Sequence, residues 1–370
     1  MFSEIPLRGE IFKDAPPKVR QGGHDAPNAL GNSGASPQKE KLLTHHYAPK
    51  LLTKALLRDD VRIKVESPST MANLGPGFDI LAVAVNAYKD VVEVKVAPGS
   101  GEVRIASEGY SVPSGEGNAA YGVVNALRNY LDLSGIDVSI RILKGVPPSM
   151  GLGSSGATSA GVAYAVTKAL GVSLSASDLV RLAGEGERWI AGAPHYDNVA
   201  ASLLGGFVLV DLPTLTPVKL VDDVGIWFSI ISFEGNPLEE KTKRARSVLP
   251  KELGLRVFSM QASTVALLIH ALHRRDPTLI GRAMSVDFIA EPHRGKLIPH
   301  YRSLKELALK EGALGFQISG AGPSVFSVHA SREDAVRVGG VLMDYLRGEG
   351  VQARNVAARP VPEGVRELGG

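Results

Sequence analysis

A run of glycine and serine between two apolar segments constrains this chain more than any other part of its sequence. It follows an alternating, strand-like segment at residues 138–142 and leads into small and apolar residues at 158–170 that predict a buried helix. Glycine allows the backbone to turn tightly and approach an anion, and a helix start directs free N–H groups toward that anion. The pattern predicts a phosphate cradle, although a capped connection without a ligand would use the same residues. The run comprises Pro147, Pro148, Ser149, Met150, Gly151, Leu152, Gly153, Ser154, Ser155, Gly156 and Ala157.

The two serines of the cradle suit several tasks. Ser154 and Ser155 can cap the helix, donate to phosphate or ligate Mg²⁺. A Gly-Lys-Ser/Thr signature is missing from the run, so it is not a nucleotide-binding loop of the Walker type.

Composition excludes several classes of protein. The 370 residues are 44% hydrophobic and 21% charged, which is typical of a globular chain of two or three domains. A net charge of +3 without a basic stripe predicts no nucleic-acid partner, and we find no apolar stretch of about 18 residues, which predicts no membrane partner. The chain has no cysteine, which excludes disulfides and thiolate sites, and its first 60 residues lack the apolar core expected of a secretory signal. We therefore expect a cytoplasmic protein.

The chain divides into an irregular start and an ordered remainder. Residues 1–60 are rich in turn-formers and predict a disordered or loosely attached arm. Strands and helices mix without strict alternation after it, which favours an α+β fold over a doubly wound sheet. We expect one domain at 61–215 and another at 216–370. The predicted strands are 61–65, 91–96, 101–105, 227–232, 316–318 and 324–329, and the predicted helices are 119–130, 158–170, 177–190, 259–274, 277–289 and 302–311.

Three glycine-rich segments in this order carry a family resemblance. They lie at residues 68–79, in the cradle and at 318–324, and a His-Tyr-Asp-Asn sequence begins at His195. Together they resemble the galactokinase–homoserine kinase–mevalonate kinase–phosphomevalonate kinase (GHMP) superfamily, with homoserine kinase as the nearest branch, over about residues 61–360. The resemblance implies a two-domain α+β fold, with an N-terminal ATP-binding domain like ribosomal protein S5 and a ferredoxin-like C-terminal domain.

The same resemblance implies an activity and a set of site residues. The activity is ATP-dependent, Mg²⁺-assisted phosphorylation of the side-chain hydroxyl of L-homoserine on the way to threonine, in a homodimer. Ser155 and Glu187 match metal ligands, and these two and Asn198 match catalytic positions. The acceptor would contact Asn73, Asp79, Asn198, Arg246 and Arg294. ATP would contact Pro148, Ser149, Met150, Gly151, Leu152, Gly153, Ser154, Ser155, Asn118 and Lys144.

These residue types fit the chemistry of a small zwitterion. A guanidinium fork holds a carboxylate well, and a carboxylate such as that of Asp79 can hold an ammonium. Glu187 falls at the edge of the apolar face of its predicted helix, whereas Glu185 points away from it. Solvated surface charge remains the alternative for both glutamates. Lys144 could neutralise phosphate or be a solvated lysine at a strand end.

A strong general base is missing from the pattern. The amide of Asn198 cannot usefully accept a proton, so catalysis would rest on positioning and charge stabilisation. We assign the neighbouring Asp197 an orienting or structural role. Tyr196 replaces a small residue of the family pattern and could add bulk near the acceptor. We read His195 as a ligand contact or a structural residue in a turn before a buried strand.

Two alternatives to a homoserine acceptor remain. One is another small hydroxylated acid, such as shikimate or mevalonate, although Asp79 opposite an ammonium favours an amino acid. The other is a non-catalytic metabolite sensor, which would be expected to have lost Ser155 or Glu187, and both are present.

Overall fold

The computed structural model describes residues 53–54, 59–233 and 241–369. The predicted arm at 1–60 therefore lies almost entirely outside the described residues. Among the described residues, the short strand β1 (Thr53–Lys54) pairs in parallel with β5 (Leu131–Asp132).

A seven-stranded sheet forms the first half of the fold. Its order is β13-β2-β3-β6-β4, and β7 pairs with the start of β3 and with β8. All neighbours are antiparallel except β4 and β6. The strands are β2 (Val61–Ala72), β3 (Leu81–Pro98), β4 (Val103–Gly109), β6 (Ile136–Lys144), β7 (Phe207–Asp211), β8 (Thr216–Val221) and β13 (Arg366–Glu367).

Four helices pack with this sheet: α1 (Ala119–Leu127), α2 (Ser154–Ala169), α3 (Ala176–Ala191) and α4 (Tyr196–Leu204). α2 is the central one and contacts β2, β3 and the other three helices. Small side chains let it lie close to the sheet, since a Cβ at Gly161 would meet Val92 Cγ2 at 3.0 Å. The alternating valines of β3 supply the opposite side of this core, with Val92, Val94 and Val96 fully buried.

The second sheet has four antiparallel strands in the order β10-β11-β9-β12. They are β9 (Trp227–Phe233), β10 (Gly315–Ile318), β11 (Val325–His329) and β12 (Ala353–Ala358). The associated helices are α5 (Lys241–Ser247), α6 (Leu255–Arg274), α7 (Pro277–Met284), α8 (Glu291–Arg294), α9 (Tyr301–Lys310) and α10 (Arg332–Gly348). The chain order of strand, helices, two strands, helix and strand is that of a ferredoxin-like unit, as predicted.

The strands of each sheet do not all lie on one side of the predicted domain boundary. The predicted boundary at 215/216 falls in the turn between β7 and β8, and both strands belong to the larger sheet. The C-terminal strand β13 also returns to that sheet, beside β2. The division of the ordered chain into two domains remains a prediction.

Two expectations from the sequence were wrong. His195 precedes helix α4 and not a buried strand. An apolar stretch was also overlooked, because α6 is, among the described residues, long and apolar enough to cross a membrane by length and composition alone. One such helix is weak evidence for a membrane. α6 packs here against α7 and β8 and buries Gln261 and Leu268.

Candidate active site

The three glycine-rich segments meet at one place. The Ser319 hydroxyl donates to the carbonyl oxygen of Gly151 over 2.6 Å, and Gly320 N donates to Ala72 O over 3.1 Å. Thr70 N donates to Leu152 O over 3.1 Å, which joins the first segment to the cradle directly. Backbone groups therefore make most of the hydrogen bonds that join the segments. Side chains larger than those of glycine and other small residues would keep these backbone groups apart.

The cradle has the backbone of an anion-binding loop. Gly151 and Gly153 have φ values of +74° and +66°, in the left-handed region that favours glycine. A Cβ on Gly153 would overlap the Thr70 hydroxyl, and one on Gly151 would overlap Ser319 O. Gly153 is the N-cap of α2, and no side chain of the described residues caps that helix. The first N–H groups of α2 are thus left for an anion.

Glu187 is a buried carboxylate with one oxygen unsatisfied. It is 2% exposed, and its Oε2 lies 2.8 Å from His195 Nδ1. Its Oε1 is buried without a hydrogen-bond partner among the described residues. Such an atom is costly to bury alone, and a cation would satisfy it. The structure places Glu187 on the buried side of α3, as predicted, whereas the half-buried Glu185 pairs with Arg188.

A divalent cation such as Mg²⁺ fits this donor set. Ser155 lies half-buried in the first turn of α2, which packs against α3, where Glu187 lies. A hydroxyl and one carboxylate are hard oxygen ligands that leave the remaining positions to phosphates and water. No cluster of three or more His, Cys, Asp or Glu side chains able to hold a metal occurs in the described part of the chain.

Burial and charged neighbours shift the pKa values of His195 and Asp197. Burial acts to lower the pKa of His195, but the hydrogen bond and charge of Glu187 outweigh it and raise that pKa. Burial, followed by the charge of Asp79, raises the pKa of Asp197 to about 7. The Oδ1 of Asp197 accepts from Asn198 N over 2.8 Å, so this carboxyl supports the backbone of its neighbour.

Asn198 lies against the cradle. Its Oδ1 accepts from the Thr70 hydroxyl over 2.7 Å, and a Cβ on Gly153 would come within 2.8 Å of the same oxygen. Tyr196, in contrast, packs its ring on α3, where a Cβ on Gly184 would overlap it. The structure therefore gives no support to the idea that Tyr196 adds bulk beside Asn198.

The predicted acceptor residues converge on the first and third glycine-rich segments. Asn73 Nδ2 donates to Gly320 O over 2.9 Å, and Asn73 Oδ1 accepts from Asp79 N over 3.0 Å. Arg246 Nη2 lies 2.7 Å from Asp79 Oδ2, with both side chains partly exposed. The two oppositely charged groups thus satisfy each other.

Arg294 is the buried member of the arginine pair, at 4% exposed. It donates from Nε to Ala245 O and from Nη1 to Gly320 O, each over 3.0 Å, and its guanidinium lies 5.2 Å from the Phe78 ring centroid. Burial lowers its pKa, opposed by the charge of Asp79. The guanidinium of Arg294 therefore lies over the residue that precedes Asp79 in the chain. Its contact with an acceptor remains a prediction.

Two predicted ATP-binding residues have their polar atoms engaged within the chain. Asn118 caps α1, accepting from Ala120 N over 3.0 Å and donating to Pro113 O over 2.7 Å. Lys144 is buried and donates to Asp90, Ser154 O and the Thr158 hydroxyl. Their contact with nucleotide remains a prediction, as does that of the loop residues.

Sequence reasoning did not identify Thr70 as a site residue or the partnership of His195 with Glu187. The only sequence signal for Thr70 was its place in the first glycine-rich segment. The contact between His195 and Glu187 could have been suspected from Gly192. This glycine ends α3 with a φ of +74° and turns the chain back. That turn brings His195 against the helix that carries Glu187.

We expect Gly153→Ala to weaken MgATP binding at least tenfold, because a Cβ there would overlap Thr70 and strain a left-handed residue. Gly171→Ala is the matched control, since Gly171 has a φ of +68° with open space around it. Calorimetric titration of MgATP into both variants is the measurement. Equal weakening in both would show that backbone strain alone is responsible and contradict a steric requirement in the cradle.

We expect Asp197→Asn to become more stable relative to the unchanged protein as pH rises from about 4 to about 7. The folded pKa of about 7 exceeds the ordinary value of 3.8, so in this range the native state keeps a proton that the unfolded state releases, and the unchanged protein loses stability as the pH rises. Urea unfolding across this range measures the difference. Asp344→Asn, at an exposed carboxylate of α10, is the control and should show no comparable trend.

Comparisons with known proteins agree with this geometry. The sequence profile of the GHMP kinases N terminal domain matches residues 118–206, and that of the GHMP kinases C terminal matches residues 268–342. A homoserine kinase of Methanopyrus kandleri is 42% identical over 290 residues, which are 78% of this chain and 94% of that protein. One of Aeropyrum pernix is 38% identical, over 76% of this chain and 91% of that protein.

A solved structure extends the likeness to three dimensions. The crystal structure of homoserine kinase from Cytophaga hutchinsonii superposes with a TM-score of 0.74 at 34% sequence identity, covering 85% of this chain and 98% of that one. The α+β fold of the GHMP-kinase type predicted from the sequence is confirmed by this match and by the two domain profiles. With relatives of this identity covered almost from end to end, the chain belongs to the homoserine kinase family of the GHMP kinases.

Proposed function

We propose that this chain transfers the γ-phosphoryl group of ATP to the side-chain hydroxyl of L-homoserine, giving O-phospho-L-homoserine. One observation carries the proposal. The anion-binding start of α2 and the Asp79–Arg246 pair are both fastened to the third glycine-rich segment, the first through Gly151 and the second through Asn73. A phosphate donor and a small zwitterionic acceptor would therefore bind side by side.

The acceptor would be held at its two charged groups. Its carboxylate would pair with the guanidinium groups of Arg246 and Arg294, and its ammonium with the Asp79 carboxylate. The Asp79–Arg246 ion pair supports this assignment, because an amino acid carries the same two charges and can replace each partner of the pair. Shikimate and mevalonate have no ammonium and would leave Asp79 unpaired. They are therefore weaker candidates.

Ser155 and Glu187 are proposed to hold Mg²⁺, which neutralises phosphate charge when bound. The orphaned Glu187 Oε1 supports this role. Both groups are retained, which argues against a non-catalytic sensor. The predicted homodimer, cytoplasmic location and lack of nucleic-acid or membrane partners remain predictions for this chain.

The transfer is proposed to proceed by positioning. The acceptor oxygen forms a bond to the γ-phosphorus, the bond to the ADP oxygen breaks, and the hydroxyl proton passes to a phosphoryl oxygen. Asn198 cannot take that proton usefully, and its Oδ1 is already held by Thr70. Its amide would orient the acceptor hydroxyl, while the N–H groups at the start of α2 stabilise the phosphate charge.

Purified protein with ATP and magnesium should release ADP with homoserine at a rate well above that with serine, threonine, shikimate or mevalonate. Coupled detection of ADP, with phosphohomoserine identified by mass, is the measurement. Turnover of shikimate or mevalonate at a comparable rate would contradict the assignment of Asp79 to an ammonium. An absence of ADP release with every acceptor would favour the sensor.

We expect Arg246→Met to raise the KM for homoserine about 10- to 100-fold with little change in the KM for ATP, because one charged hydrogen-bonding partner of the carboxylate is lost. Arg244→Met is the matched control, since Arg244 is exposed on the same helix, α5. Steady-state kinetics with each substrate varied in turn decide the matter. An unchanged homoserine KM in the Arg246 variant would remove this residue from the acceptor site.

A further inference from the structure

A buried ion pair lies beside the loop at residues 145–153, which we call the phosphate loop, and has no part in the transfer described above. The side chains of Lys144 and Asp90 are 2% and 0% exposed, and their charged groups are in contact. Lys144 ends strand β6, and Asp90 lies in β3 beside it. We call these two residues, with Ser154 and Thr158 at the start of α2, the clasp.

The clasp fastens the beginning of the loop. Asp90 Oδ1 accepts from Gly145 N over 3.1 Å and from Val146 N over 2.9 Å. These are the first two residues after β6. The carboxylate therefore fixes the direction in which the chain leaves the sheet.

The clasp also fastens the end of the loop. Lys144 Nζ donates to Ser154 O over 2.6 Å and to the Thr158 hydroxyl over 2.9 Å. The Thr158 hydroxyl in turn donates to Asp90 Oδ2 over 2.7 Å, and the Ser154 hydroxyl donates back to Val146 O over 2.9 Å. Both ends of the loop at 145–153 are thus tied to a single buried pair of charges.

This arrangement bears on the ATP contact predicted for Lys144. An ammonium has three N–H donors, and all three of Lys144 are engaged by Asp90, Ser154 O and Thr158. A phosphate contact would require breaking one of them in a buried site, where an unmade hydrogen bond is costly. The clasp borders the proposed metal site, because Ser154 of the clasp is the chain neighbour of Ser155.

We propose that Asp90 and Lys144 are positioning residues that set the shape of the phosphate loop, and that Lys144 acts through the backbone of Ser154 without contacting ATP. The proposal rests on the proposed function in one respect, since it takes the loop at 145–153 to bind nucleotide phosphates. Its distinctive consequence is that Asp90, an anion that would repel phosphate, is needed for nucleotide binding as much as Lys144 is.

The experiment is a double-mutant cycle on Asp90→Asn and Lys144→Met. We expect each single variant to lower kcat/KM for ATP by about 10- to 100-fold, with the KM for homoserine changed less than about twofold. The double variant should lose no more than the worse single one, because both changes disable the same device. Thr158→Val removes one donor and one acceptor of the clasp and should show a smaller loss of the same kind. Lys168→Met, at an exposed lysine of α2 that pairs with Glu367, is the control and should stay near the unchanged protein.

A direct phosphate contact gives a different pattern. ATP binding would then fall in Lys144→Met but stay normal or improve in Asp90→Asn, and the two effects would multiply in the double variant. Normal or improved ATP binding in Asp90→Asn would overturn the proposal, and so would effects that multiply in the double variant. A loss of homoserine affinity equal to that for ATP would overturn it too, because it would indicate general damage to the fold.

Two further measurements keep the test decisive. Lys144→Met leaves a lone buried carboxylate, so thermal unfolding of every variant is followed first. If that variant does not fold, Asp90→Asn and Thr158→Val carry the test, and normal MgATP binding in both overturns the proposal. Calorimetric binding of MgATP, without any acceptor, separates the two proposals. If homoserine is not phosphorylated, the proposed function fails while the role of the clasp in nucleotide binding is still measured.

Discussion

The carbonyl oxygen of Gly320 is the point on which the arrangement of the site depends. It accepts from Asn73 Nδ2 over 2.9 Å and from Arg294 Nη1 over 3.0 Å. Asn73 in turn holds the backbone of Asp79. One backbone acceptor in the third glycine-rich segment therefore orients an amide from the first segment and a buried guanidinium from α8. Because Ser319, next to it, holds Gly151, the phosphate loop is tied to the same turn.

Small residues allow these segments to come together. The left-handed glycines of the cradle have oxygen atoms of neighbouring segments where a Cβ would stand. Small residues also let α2 lie close to its sheet, and the glycine at its N-cap leaves the start of that helix without a capping side chain. Two charged side chains are buried beside this helix. Glu187 has one carboxylate oxygen without a hydrogen-bond partner among the described residues, whereas all three N–H donors of Lys144 are engaged. The first suits a ligand role and the second a supporting one.

The sequence was most informative where periodicity or glycine left little choice. The strand at 227–232 and the helix at 177–190 were found within a residue or two, and the burial of Glu187 followed from its angle on α3. Helix α10 was missed, since Gly339 and Gly340 weaken its pattern, although Ser331 accepting from Asp334 N marks its start. The inward ion pair of Lys144 could not be foreseen, because its partner Asp90 is 54 residues away in the chain and no local pattern links them. Pairing of Asp79 with Arg246 likewise depends on tertiary structure alone.

The path of the chain after the second sheet affects how the protein can be made. After the second sheet is complete the chain returns to the larger one, where Pro360 bridges to Val85 and β13 adds a strand beside β2. The edge of the first sheet is therefore finished by residues that are synthesised long after the strand they cover, since Arg366 pairs with Glu66, 300 positions earlier. Until residues 366–367 have been made, the β2 edge must remain uncovered or be protected by another chain. Folding of the larger sheet is thus expected to finish only after the strands of the second sheet have been synthesised, even though most of its own strands come early.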